Sequence, residues 1–228
     1  MRFSKPEPWA VAFIIAATAL LLFLGGWQVE RLQWKNALLA DMAQAQSAPA
    51  LVVLPKDPQE AFYRNVVLSG HFIHQHSFYG VAAPRGGRPG YFALTPFQLS
   101  DGRVVLVNRG WTPKGEESKP EGRQQVQGVL RPARHRRYFS PENVLEKNIW
   151  FFEDLDAMGR ELGAALVPVV VEEVRPYKAG EFPIGSDGKI SLRNDHLGYA
   201  ITWFALAFAG LVMFALYYRV KPPAQPKG

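Results

Sequence analysis

"NDHLGYAITWFALAF", residues 194–208, holds the change on which the fold turns. Charged and polar residues end at His196, and the next 22 residues, 197–218, carry no charge. A counterpart lies near the other end: 19 uncharged residues from Trp9 to Trp27, with Thr18 their only hydroxyl. At about 1.5 Å rise per residue, helices over these runs are roughly 28 and 33 Å long, against a hydrocarbon core of about 30 Å. Trp9, Trp27, Tyr217 and Tyr218 sit at the ends of the runs, where interfacial aromatics belong. The expectation is a membrane protein. Two transmembrane helices, 9–28 and 197–218, flank one large loop domain, 29–196, with short tails at 1–8 and 219–228.

The first apolar run is longer than the core of a secretion signal, and no small-x-small cleavage pattern follows it closely. With eight residues ahead of it there is no room for a mitochondrial presequence, so the expected setting is the inner membrane of a bacterium. Arg2, Lys5, Arg219, Lys221 and Lys227 on the tails face one acidic residue, Glu7. Arg31, Lys35, Lys189 and Arg193 near the loop ends nearly balance them, but long loops are largely exempt from the positive-inside bias. Both termini are therefore expected in the cytoplasm and the loop domain in the periplasm. The net charge of +6 reads as membrane topology and contact with lipids, not as nucleic-acid binding. The chain has no cysteine, which excludes thiolate copper sites, covalent c-type haem attachment and dithiol exchange.

Between the spans the pattern changes twice. Trp27, Trp34, Leu38 and Ala45 share one helical stripe, so the first helix is expected to run on to about Gln46, where Ser47-Ala48-Pro49 ends it. Segments near 64–74, 77–83, 90–99, 103–111, 124–131 and 167–174 are then rich in Val, Leu, Phe and Tyr and are divided by turn residues. The Ser100-Asp101-Gly102 turn predicts a hairpin. Ser140-Pro141 predicts a helix to about Lys147, and Asp154 caps a second that Gly163 ends. The expected domain is α+β and mainly antiparallel β, with barrel-like closure left open.

An enzyme reading finds little to stand on. G-x-S-x-G, H-E-x-x-H and G-x-x-x-x-G-K-[ST] do not occur. In "HFIHQH", residues 71–76, His74 and His76 would share a strand face suited to zinc, or simply end a solvated strand. "RPARHRRY", residues 131–138, gathers Arg131, Arg134, Arg136 and Arg137, which suit carboxylates, lipid headgroups or a solvated loop.

His196 supports two readings: an interfacial side chain, or an axial ligand for haem iron. In a helix His196, Tyr199 and Trp203 lie on one face, on which a flat apolar ring can rest. Arg193 just ahead and Arg31 on the other helix can each meet a carboxylate.

"LGGWQVERLQWKNALL" (24–39), "VVLVNRGWTP" (104–113) and "HLGYAITWF" (196–204) resemble, in order, the three signatures of the surfeit locus protein 1 family. Thr112 departs from the aliphatic residue usual there. The resemblance covers almost the whole chain and implies a non-enzymatic assembly factor for cytochrome c oxidase. It implies that haem a is held transiently and delivered to subunit I, with the enzyme that makes haem a as the candidate donor. The iron ligand of bacterial members maps onto His196. The expected haem-contacting set is then His196, Tyr199, Trp203, Trp27, Arg31 and Arg193. Gln28, Asn108, Arg109, Gly110 and Thr202 occupy signature positions that read as structural. The alternatives are a haem-free scaffold for the young subunit and a membrane-anchored metalloenzyme.

Overall fold

The computed structural model describes residues 6–188 and 194–219. They form two compact units, one of paired helices and one of sheet, the second beginning at Asp41.

The helical unit contains most of α1 (Pro8–Ser47) and all of α3 (His196–Tyr217), both long and apolar enough to cross a membrane. The first helix stops where expected. Ser47 turns its hydroxyl back to the Gln44 carbonyl at 2.8 Å, and Pro49 lacks the N–H to continue the ladder. The outward faces carry Phe13, Phe23, Phe208 and Met213, each more than two-thirds exposed, as a lipid-solvated surface requires. Small residues let the helices approach: Ala200 and Ala207 are buried, and a Cβ on Gly25 would lie 2.6 Å from Phe204 Cε1.

The second unit is one seven-stranded sheet, in the spatial order β1 (Asn65–Phe72), β5 (Gln124–Arg131), β7 (Leu166–Glu173), β4 (Val104–Thr112), β3 (Arg88–Leu99), β2 (Phe78–Arg85) and β6 (Ile149–Trp150). The end of β1 also pairs with β3, Gly70–Phe72 facing Phe97–Leu99. Most pairings are antiparallel, but β4 runs parallel to β7 and β2 parallel to β6, so the sheet is mixed. A parallel pair needs a long crossover. The chain from β4 to β7 provides it through β5, β6 and the helix α2 (Leu155–Leu162).

Alternating inward residues build two cores. One joins Leu68, Phe97, Val105, Val107, Val126 and Leu130. The other joins Phe78, Leu94, Leu106, Trp150 and Val170 to Met158 of α2. The short helix is capped as its sequence predicts: Asp154 accepts from the Ala157 N–H at 2.9 Å, and Gly163 takes a left-handed φ of 75°.

Two expectations are corrected. Residues 140–147 form no continuous helix, only one turn at Leu145–Lys147. Ser140 Oγ, the expected cap, accepts from the Arg137 N–H behind it, and Asn143 Oδ1 accepts from the Phe151 N–H at 2.8 Å, so both side chains are spent on loop closure. The histidine segment is not strand throughout: β1 ends at Phe72, and His74–His76 make a single turn. His74 and His76 therefore do not share a strand face. The His74 Nε2 lies 2.9 Å from the Pro120 carbonyl, and no cluster of three metal-ligating side chains occurs among the described residues.

Candidate functional site

The three sequence signatures fall in different surroundings. That on β4 is buried throughout. Asn108 donates to both carboxylate oxygens of Glu172, at 3.0 and 2.9 Å, and accepts from the Gly110 N–H at 3.1 Å. Gly110 has φ +108°, and a Cβ there would sit 2.0 Å from the Ile184 carbonyl oxygen, so glycine is required twice over. That approach lets Trp111 exchange backbone hydrogen bonds with Ile184, while the indole N–H donates to the Ala83 carbonyl at 2.9 Å. Trp111 thus packs within the domain.

Arg109 is fully buried. Its guanidinium donates to the Ser118 carbonyl at 2.7 Å and lies over the Phe72 ring at 4.7 Å. Its Nε makes no hydrogen bond among the described residues and stands 3.7 Å from the Glu173 carboxylate. Burial lowers the Arg109 pKa to about 10, with Glu173 opposing the shift. Burial likewise pushes the Glu173 carboxyl up, against the pull of Arg175 and Arg109. Nearby, burial and the hydrogen bond to Glu117 raise the Tyr79 phenol to about 12.

The arginine-rich segment is not uniformly a solvated loop. Arg131, at the end of β5, donates to both oxygens of Glu153 at 2.7 Å and to Glu172 at 2.8 Å. Burial works against both charges. The Arg131 contacts outweigh it at Glu153, whose carboxyl is held below its usual range, and Glu153 and Glu172 raise Arg131 in return. Arg134 lies over the Phe92 ring at 4.5 Å, and exposed Arg136 pairs with Glu142 at 2.7 Å. These arginines serve the domain's own carboxylates and rings.

The signature on α3 is placed differently. His196 opens the helix and is half-buried. Its Nδ1 lies 2.7 Å from Gln28 Oε1 on α1. Its Nε2 makes no hydrogen bond among the described residues. Tyr199 and Trp203 follow on the same stripe, Tyr199 54% exposed. The Trp203 indole N–H is buried with no hydrogen-bond partner among the described residues. Thr202 returns its hydroxyl to the Gly198 carbonyl at 2.9 Å, an internal use. Asn194 donates to Asn36 at 2.9 Å and joins the two helices one step further out.

Among the expected residues, the structure places His196, Tyr199 and Trp203 on one helix face. Trp27 and Arg31 share a neighbouring stripe of α1, where Arg31 lies 4.5 Å from the Trp34 ring centroid. No ring contact joins Trp27, Tyr199 or Trp203 among the described residues. Arg193 lies outside the described residues. The residue that meets His196 is Gln28, which sequence reasoning left among the structural signature positions. Its position was the available signal, since an amide at the edge of an apolar span is costly unless it finds a partner. An imidazole held at Nδ1 with Nε2 free has the donor geometry of a metal ligand.

These features define a class: membrane proteins in which a mixed-sheet domain is inserted, in sequence, between two helices of spanning length. The chain belongs to the SURF1 family, whose profile matches residues 15–208. It is 35% identical over 240 residues to surfeit locus protein 1 of Homo sapiens, covering 93% of this chain and 78% of that protein. It is 34% identical over 237 residues to surfeit locus protein 1 of Rattus norvegicus, covering 92% of this chain and 76% of that protein. A SURF1-like protein of Rickettsia bellii is 29% identical over 216 residues, covering 90% of this chain and 89% of its own length.

Proposed function

We propose that this protein is a non-catalytic assembly factor that holds haem a in transit and helps deliver it to subunit I of cytochrome c oxidase. The SURF1 family is one of cytochrome c oxidase assembly factors, and haem is here cargo, not a resident cofactor. The observation that carries the reading is the imidazole of His196, engaged at Nδ1 by Gln28 at 2.7 Å and with no hydrogen bond at Nε2 among the described residues. Nε2 is the atom that would hold the porphyrin iron. Tyr199 and Trp203 offer apolar surface beside it, and the Trp203 N–H, without a partner among the described residues, offers a buried donor. Arg31 is exposed on α1 and suits a propionate once it leaves the Trp34 ring. A carrier must release its cargo, so one nitrogen ligand and an open aromatic face fit the task better than a closed cavity.

The setting proposed is the inner membrane of a bacterium, with both termini cytoplasmic and the sheet domain periplasmic. The haem a synthesising enzyme is the proposed donor, and membrane lipids solvate the outer faces of the helices.

Haem extraction from full-length protein, made in cells that synthesise haem a, tests the reading. The wild type is expected to carry haem a, and His196→Ala to lose most of it per polypeptide. Equal pigment in the two removes the ligand role. If subunit I still co-purified with the variant, Tyr199 and Trp203 would become packing surfaces of a haem-free scaffold.

A further inference from the structure

We infer that Gln28 is the positioning residue of His196: it fixes the imidazole as the Nδ1–H tautomer and presents Nε2 as the ligand atom. The inference rests on the proposal that His196 binds haem iron.

Gln28 is 9% exposed at the end of an apolar run, so its amide must be satisfied within the protein. The atom it turns toward His196 is the carbonyl oxygen, 2.7 Å from Nδ1. A carbonyl oxygen can only accept. In the inferred tautomer Nδ1 donates to that oxygen, and the lone pair needed to bind metal lies on Nε2. A histidine side chain in water favours the opposite tautomer, with the proton on Nε2, which blocks the nitrogen that faces away from Gln28. Gln28 thus acts on the site in two ways. It selects the tautomer able to bind metal, and it holds the ring plane relative to α1. A hydrogen bond at the distal nitrogen also raises the basicity of the ligating one, and loss of such a partner typically weakens metal binding about 10- to 100-fold.

Gly25 supports the arrangement from one turn away. It shares the α1 stripe with Gln28, and its missing side chain makes room for the Phe204 ring of α3. The helix contact that brings Gln28 within reach of His196 is therefore written into the same signature, "LGGWQ", residues 24–28.

The test uses full-length protein in nanodiscs. In the haem-free wild type, ¹⁵N NMR of the imidazole is expected to show His196 as the Nδ1–H tautomer. Gln28→Leu should restore the Nε2–H form and weaken haem a binding at least tenfold in titration. Gln28→Glu keeps an acceptor. It should retain the tautomer and the binding, and shift the iron midpoint potential to more negative values. This rescue separates positioning from folding should Gln28→Leu prove unstable. If Gln28→Leu keeps both the Nδ1–H tautomer and wild-type affinity, or Gln28→Glu loses the tautomer, the inference fails while His196 remains the ligand. If wild type and His196→Ala bind haem a equally, the ligand role itself falls and the inference with it.

Discussion

The signature on β4 and the signature on α3 use their polar residues in opposite ways. On β4, Asn108 is committed at both ends of its amide, Gly110 is filled by a neighbouring carbonyl, and the Trp111 indole is bound to backbone. Glu172 extends this commitment through Arg131 to Glu153. On α3, half of the imidazole and the Trp203 N–H have no hydrogen-bond partner among the described residues, and the Tyr199 ring is exposed. A recognisable motif can thus define a fold or a function, and the hydrogen-bond inventory tells which. Variants on β4 and its network should change stability but not haem a content per folded molecule. Variants of His196 should do the reverse.

The largest stability effect is expected from Arg131→Met. It takes from Glu153 its bidentate partner, leaving Arg134 Nε at 3.9 Å, and takes from Glu172 its ion pair with Arg131; breaking a buried pair from one side costs about 3–5 kcal/mol. Thermal unfolding should show a drop of several degrees per kcal/mol, and haem a content per folded molecule should stay at the wild-type value. A parallel loss of haem in the folded fraction would erase the distinction between the two signatures.

Gly110→Ala follows. The strained φ and the contact with Ile184 should together cost about 2–4 kcal/mol, read as a lower unfolding midpoint in denaturant.

A pH series sharpens the contrast inside the sheet domain. The Glu173 carboxyl is raised by burial, so its contribution is full below the unfolded-state pKa and is lost as pH rises through the folded value. The Glu153 carboxyl is lowered, so its contribution is present above the unfolded-state pKa and is lost as pH falls through the folded value. Mild acid should therefore favour the domain through Glu173 before stronger acid undoes the Arg131–Glu153 pair. Thermal unfolding across acid pH should lose the early gain in Glu173→Gln and the late loss in Glu153→Gln.

The smallest effect belongs to Arg136→Ala. Arg136 and Glu142 are an exposed pair, and the unfolding midpoint should move by no more than about 0.5 kcal/mol equivalent.

Much of this organisation could be read before any coordinates. The two helices, the end of α1 at Ser47, the six longer strands, the Ser100–Gly102 turn and the Asp154 cap follow local rules, because periodicity, capping and turn chemistry act within a few residues. What escaped depends on partners distant in sequence. The parallel pairing of β4 with β7 joins strands separated by the whole crossover. The burial of Arg131 depends on Glu153 and Glu172, which composition alone cannot place beside it. Ser140-Pro141 looks like a helix start but closes a loop, because Asn143 is drawn to Phe151. In the candidate site, the stripe of His196, Tyr199 and Trp203 is a matter of helical spacing and was legible. That Gln28 needs a partner was legible; that the partner is His196 was not, because the two meet only when the helices pack.

The bare Cα of Gly25 has a mechanical consequence. A methyl group here would lie 2.6 Å from the Phe204 ring, so the bare Cα leaves the seat in which that ring rests between the two rods. Enlarging it would wedge them apart one turn from Gln28 and loosen the grip on the imidazole, without touching either partner of that bond. A residue with no side chain would then tune a ligand it never meets.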